Sequence, residues 1–187
     1  SPWQERAVAI LTFYRAMFCL TLIFGSLPKL TRTLSRGSVS WGALYLKMLA
    51  FLVARKVTES TNPWHFTLFY GEKRFALNLY EGSVDIAALK EIFLDKEYEW
   101  LSPIDPRVII DCGAHTGNTS IYFHLMYPHA TIYAIEASPK NFEKLQDNVR
   151  AIPNIVPIFC AVGATDGVIS FYESESSLGS SIHSRGH

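Results

Sequence analysis

Asp111, Gly113 and Gly117 fall within the stretch DCGAHTGN (111–118), directly after the apolar run Val108-Ile109-Ile110. A buried core has no use for that change of character, but a loop that must approach a ligand closely does. Glycine lacks a Cβ, so a backbone can turn tightly while a ligand touches it. A helix opening after Gly117 aims its unpaired N–H groups at the same place. Asp111 is expected to end one strand and Glu136 the next. In an open α/β sheet, ligands sit beyond the carboxyl ends of the strands. From there the Glu136 carboxylate can accept hydrogen bonds from both hydroxyls of a ribose. The chemistry indicated is recognition of a nucleoside-type cofactor. A dinucleotide fingerprint G-x-G-x-x-G is not met, because His115 stands where its second glycine belongs. A P-loop is excluded, since no Gly-Lys-Ser/Thr occurs. What remains is Asp-x-Gly-x-x-x-Gly, followed by an acid at the end of the second strand.

The elements that must position these residues are legible around them. Val108–Ile110 reads as a short buried strand, Thr119–Met126 as a helix, and Thr131–Ile135 as a second strand. Ser138-Pro139 is an N-cap followed by proline at the first helical position. The helix it opens carries Phe142, Leu145 and Val149 on one face, and Ile155–Phe159 is a third strand. Such alternation implies a parallel sheet with covering helices. Val168–Tyr172 adds a candidate strand. Upstream, HFTLFY (65–70) and FALNLY (75–80) alternate with period two around Gly71-Glu72-Lys73-Arg74, a hairpin signal. Asp85 can cap a helix running through Ala87, Leu89 and Ile92 toward Phe93. Asp85, Glu91 and Tyr98 either line a cleft or lie on a solvated helix face. Trp41, Leu44, Tyr45, Met48, Leu49 and Leu52 recur at three- and four-residue steps, so 41–56 reads as a helix with a core-facing stripe. Gly25–Ser40 reads as a linker.

Residues 7–25 are almost wholly apolar, with Arg15 in the middle. The readings are a helix packed on the body or a partner, a membrane-surface helix with basic flanks, or a span disfavoured by its central Arg. Net charge is zero over 187 residues, yet up to Lys56 eight basic residues face Glu5 alone. A basic apolar front joined to an acidic body divides the chain into 1–56, 57–106 and 107–187. The acidic body disfavours nucleic acid as a partner. Cys19, Cys112 and Cys160 are odd in number and widely spaced, which points to a reducing, cytoplasmic setting, and the membrane-surface reading of 7–25 would add membrane association. Cys112 and Cys160 are expected to be small buried residues. The histidines have no metal-ligand spacing, so no metal is expected. A start without Met and an end without a closing element suggest a piece of a longer protein.

The ordered series VIIDCGAHTGNTSIYF, YPHATIYAIEASPKNFEKLQDNV, GSVDIAALKEIFLDKEYEW and SSLGSSI resembles the FkbM family of class I S-adenosylmethionine-dependent methyltransferases. The resemblance covers roughly residues 66–183. It implies an α/β fold with a partial Rossmann-like class I methyltransferase sheet. A hairpin-helix segment and an apolar helical region would precede that sheet. It implies S-adenosylmethionine as cofactor. The loop Asp111, Gly113, Ala114, His115, Thr116, Gly117 and Asn118 would hold its amino-acid end. Glu136 would take the ribose, flanked by Ala137 and Ser138, and the backbone near Ala161 would approach the adenine. His115 stands where the family usually shows Asn; both can hydrogen-bond a carboxylate, but histidine adds a pH response. The family's later Lys-Ile-Asp-x-Glu-Gly segment is not in this chain, so no catalytic base is assigned. The resemblance implies O-methylation, with sugar or other small-molecule hydroxyls as acceptors. The alternatives are a non-catalytic cofactor-binding module and a membrane-associated interaction protein.

Overall fold

The computed structural model describes residues 25–54, 62–80, 85–99, 104–165, 167, 170–172 and 181–183. The apolar segment expected at 7–25 lies outside these, apart from Gly25. The chain segment expected to be a linker contains a helix, α1 (Leu27–Thr33). Leu27, Leu30 and Leu34 are buried at helical spacing, and Pro28 sits in the first turn, where its missing N–H costs nothing. The polar residues that suggested a linker occupy its other face or bond backward, as Thr31 Oγ1 does to the Leu27 carbonyl at 2.9 Å.

Helix α2 (Ser38–Ala54) buries Leu44, Met48, Phe51 and Leu52. Strands β1 (Pro63–Tyr70) and β2 (Lys73–Tyr80) form the hairpin, paired antiparallel from Pro63↔Tyr80 to Tyr70↔Lys73. The turn is tighter than expected. Lys73 and Arg74 belong to β2, and Gly71, at φ +58°, takes the first of two turn positions. Phe51 packs edge-on against Trp64 and Phe66, which seats α2 on the hairpin. Helix α3 (Asp85–Leu89) continues as a π-helical turn over Lys90–Leu94. Phe93 on that turn meets Tyr70, Phe75 and Tyr122, joining the hairpin to the helix after the first sheet strand.

That sheet is parallel, in the order β3 (Val108–Cys112), β4 (Thr131–Glu136), β5 (Ile155–Phe159). Helix α4 (Asn118–Met126) links the first pair and α5 (Pro139–Val149) the second. Crossovers of this kind are right-handed, and both step across the sheet in the same direction, so both helices cover one face. This α/β unit is the partial Rossmann-like sheet expected. Ile132, Ala134, Glu136 and Ile155 point into the covered face and are buried. Among the described residues the opposite face is bare: Val108, Ile110, Tyr133 and Val156 are exposed. Cys112 shares that face through its pairing with Ile135, and it is exposed rather than buried, as is Cys160 beyond β5. Two short antiparallel strands follow, β6 (Ser170–Tyr172) and β7 (Ser181–His183). Buried residues from Leu27 to Ile155 form one continuous core.

Candidate functional site

The register explains how the two acids come together. Asp111 pairs with Ala134, and Glu136 lies two residues further along β4, so both point toward the helix-covered face at the carboxyl edge of the sheet. Strand β3 runs one residue beyond Asp111, to Cys112. Gly113 and Ala114 then both donate to the Ile135 carbonyl, at 2.9 and 2.8 Å, which bends the chain over the end of β4. Gly113 has φ +85°, and the place where a Cβ would stand is open.

Glu136 laces this loop to the next turn. Its Oε2 accepts from the His115 N–H at 2.9 Å, and its Oε1 accepts from the Ser138 N–H at 2.8 Å. Each carboxylate oxygen keeps a further lone pair for a ligand hydroxyl. Ala137 lies half-buried between them. Ser138 is buried and caps α5 by accepting from the Asn141 N–H at 3.4 Å. Asp111 accepts from the Ser120 hydroxyl at 2.6 Å. Burial, above all, pushes the Asp111 carboxyl above the ordinary aspartate range. The Ser120 hydroxyl pulls it back, and the Glu136 charge adds to the rise.

The remaining loop residues divide in two. His115 is held at φ +51°, and its buried Nε2 has no hydrogen-bond partner among the described residues. Burial pushes its imidazole pKa down; Asp85 and Glu136 oppose the shift, and Lys144 reinforces it. Thr116 and Asn118 instead turn inward. Thr116 Oγ1 donates to Asp85 Oδ1 at 2.6 Å, and Asn118 Nδ2 reaches the same oxygen at 3.3 Å. Gly117, at φ +92°, is filled from behind: a Cβ there would stand 2.9 Å from Leu145 Cδ1 and 3.3 Å from Val149 Cγ1. Its bare Cα therefore lets α5 pack against the loop. Ala161, half-buried just past β5, lies beyond the carboxyl end of the third strand.

Of the three residues left between cleft and solvated face, each takes a different place. Asp85 is fully buried, Glu91 is exposed, and Tyr98 is half-buried against Tyr122 and Phe123. Burial first, then the Glu97 charge, raises the Tyr98 phenol pKa, while a hydrogen bond to Thr119 lowers it. Asn148 was not anticipated at all. Its Oδ1 accepts from the Asn78 N–H at 2.8 Å, and its Nδ2 donates to the Thr116 carbonyl at 2.8 Å. A signal existed: Asn141, Leu145 and Asn148 lie four and three residues apart on the buried stripe of α5. A polar side chain on a core stripe requires a partner.

The arrangement fits a nucleoside-type ligand. Gly113 leaves open space where a Cβ would stand, Glu136 keeps acceptor capacity, and His115 Nε2 is a buried polar atom with no partner among the described residues. Among the described residues no three His, Cys, Asp or Glu side chains converge as a metal cage would need.

Residues 111–187 match the model of the methyltransferase FkbM domain. Methyltransferase 1 of Beauveria bassiana (strain ARSEF 2860) is 32% identical over 87 residues, 44% of this chain and 35% of its own length. Methyltransferase sdnD of Sordaria araneosa is 30% identical over 83 residues, 43% of this chain and 32% of its own. The chain thus spans about a third of the length of these curated relatives. Among solved structures, M. jannaschii TYW2 in complex with AdoMet superposes with a TM-score of 0.35 and 19% identity, covering 55% of this chain and 44% of that one.

Proposed function

We propose that this chain, whose residues 111–187 match the model of the methyltransferase FkbM domain, binds S-adenosylmethionine at the carboxyl edge of β3 and β4 and takes part in methyl transfer to an oxygen. The observation that carries the reading is Glu136. It is a buried carboxylate at the end of the second parallel strand, tied to the Gly113–Gly117 loop and still able to accept ribose hydroxyls. The cofactor would supply a methyl group on a sulfonium, open to in-line displacement by an acceptor oxygen. This chain's own residues would bind and orient. Gly113 gives the cofactor's amino-acid end close backbone approach, and the first turn of α4 directs N–H groups toward it. Asp111 lies beside that end with its proton affinity raised. Ala137, Ser138 and the backbone near Ala161 would flank the nucleoside. The acceptor class we favour is a sugar or other small-molecule hydroxyl. Contact of residues 7–25 with a membrane surface belongs to the same proposal; among the described residues no helix is long and apolar enough to cross a membrane.

The test is calorimetric titration of the chain with S-adenosylmethionine and S-adenosylhomocysteine, beside an Asp111→Ala, Glu136→Ala variant whose fold is checked by thermal melting. Binding that disappears in the folded variant is the expected result. A folded wild-type chain that takes up neither compound would sink the reading.

A further inference from the structure

Asp85 is a carboxylate with no exposed surface, set among donors from separate elements. Its Oδ2 accepts from the Tyr80 N–H, at the end of β2, at 3.1 Å. Its Oδ1 accepts from the Thr116 hydroxyl at 2.6 Å and from Asn118 Nδ2 at 3.3 Å. Asn118 Nδ2 also donates to Thr116 Oγ1 at 3.3 Å, so that hydroxyl is used in both directions. Burying such a group is costly unless donors surround it. Here two of the donors that offset the cost, Thr116 and Asn118, come from the loop that carries His115 at φ +51° between two left-handed glycines. A non-glycine residue in that conformation persists only where its surroundings hold it. His115 is held on one side by Glu136 and, one residue later, by the bond from Thr116 to Asp85.

We infer that Asp85 is a positioning residue for the Asp111–Asn118 loop, acting through Thr116 and Asn118; its bearing on cofactor affinity rests on the S-adenosylmethionine reading above. The side chains of Thr116 and Asn118 set the shape of the loop, and its backbone is what they present to the ligand. The hairpin-helix segment before the sheet thereby becomes part of the site, since Asp85 is anchored to β2 through Tyr80.

An isosteric amide cannot replace this carboxylate. Asp85→Asn turns an N–H₂ toward either the Tyr80 N–H or Asn118 Nδ2, donor against donor, and in the second orientation the Thr116 hydroxyl must turn from donating to accepting. Thr116→Val removes the hydroxyl at constant shape, and Thr116→Ser keeps it. Two readouts decide. In the unliganded chain, amide hydrogen exchange at 113–118 should quicken about tenfold or more in Asp85→Asn and in Thr116→Val. The amides of Ile132 and Ala134 should keep their wild-type rates, and Thr116→Ser should restore slow exchange in the loop. By calorimetry, S-adenosylhomocysteine should bind about tenfold more weakly to each of the first two variants. Their combination should be no weaker than the worse single, because both break one bond. Loop exchange unchanged in Asp85→Asn, or effects that multiply in the double variant, overturns the inference. Should the wild-type chain bind no S-adenosylhomocysteine, the cofactor reading falls, and the exchange rates alone still decide for or against Asp85.

Discussion

His115 combines a left-handed backbone, a buried ring and a depressed pKa at one position. Burial is the main cause of the depression, so the folded chain resists protonating this imidazole, while the unfolded chain accepts the proton near the ordinary value of 6.5. Below that pH the unfolded state binds more protons, and stability is lost as pH falls toward the folded-state value. Above it the contribution is complete. The wild-type chain should therefore lose denaturant resistance between about pH 7.5 and about pH 5, and part of that slope should vanish in His115→Asn. Urea midpoints across this range check it; equal slopes in the two proteins would show that the ring titrates alike folded and unfolded. The sequence exposed His115 as a departure from a glycine pattern, yet it could not reveal the burial that gives the residue its pH response. Gly117 carries the converse lesson. Its spacing marked it as a loop glycine, but the close neighbours that require it, Leu145 and Val149, come from α5 and appear only in three dimensions.

Among elements, the docking of the hairpin on α5 is the contact that patterns of apolar residues could not announce. Asn148 makes it, bonding to both backbone groups of Asn78 and to the Thr116 carbonyl, together with Asp147, which accepts from Asn78 Nδ2 and the Tyr80 hydroxyl. Asn148→Ala would leave the Asn78 N–H and the Thr116 C=O without this partner, which should cost about 2–4 kcal/mol. Gln146→Ala, on the exposed side of the same helix, should stay within about 0.5 kcal/mol. Urea unfolding of the two variants separates a lock between elements from ordinary helix propensity, and equal costs would refute the lock. The strands and helices from Val108 to Phe159 were legible because strict periods, the Ser138 cap and Pro139 all agree locally. Helix α1 was not, because Ser, Thr, Gly and basic residues around it mimic a linker while Leu27, Leu30 and Leu34 supply the buried face. Asp85 was readable as the start of a helix, but its loop partners lie 31 and 33 residues away.

For the molecule as a whole, the decisive asymmetry is between the two faces of the parallel sheet. Strand sequence could not reveal it, since short apolar runs such as Val108-Ile109-Ile110 read as buried on both sides. Handedness resolves the matter: two right-handed crossovers in one direction place α4 and α5 on the same face and, among the described residues, leave the other bare. Ile132, on the covered face, has no exposed surface, whereas Ile110, in the neighbouring strand on the bare face, is 62% exposed. Ile132→Ala should therefore cost about 2–5 kcal/mol, and Ile110→Lys should change stability by no more than about 0.5 kcal/mol. Parallel sheets are ordinarily covered on both faces, so the bare face should also make this chain bind a hydrophobic dye and associate as its concentration rises. Ile110→Lys should weaken both behaviours while the melting temperature holds. A melting temperature that instead collapses, as it should for Ile132→Ala, would mean that Ile110 is covered in solution and that the two faces are equally buried.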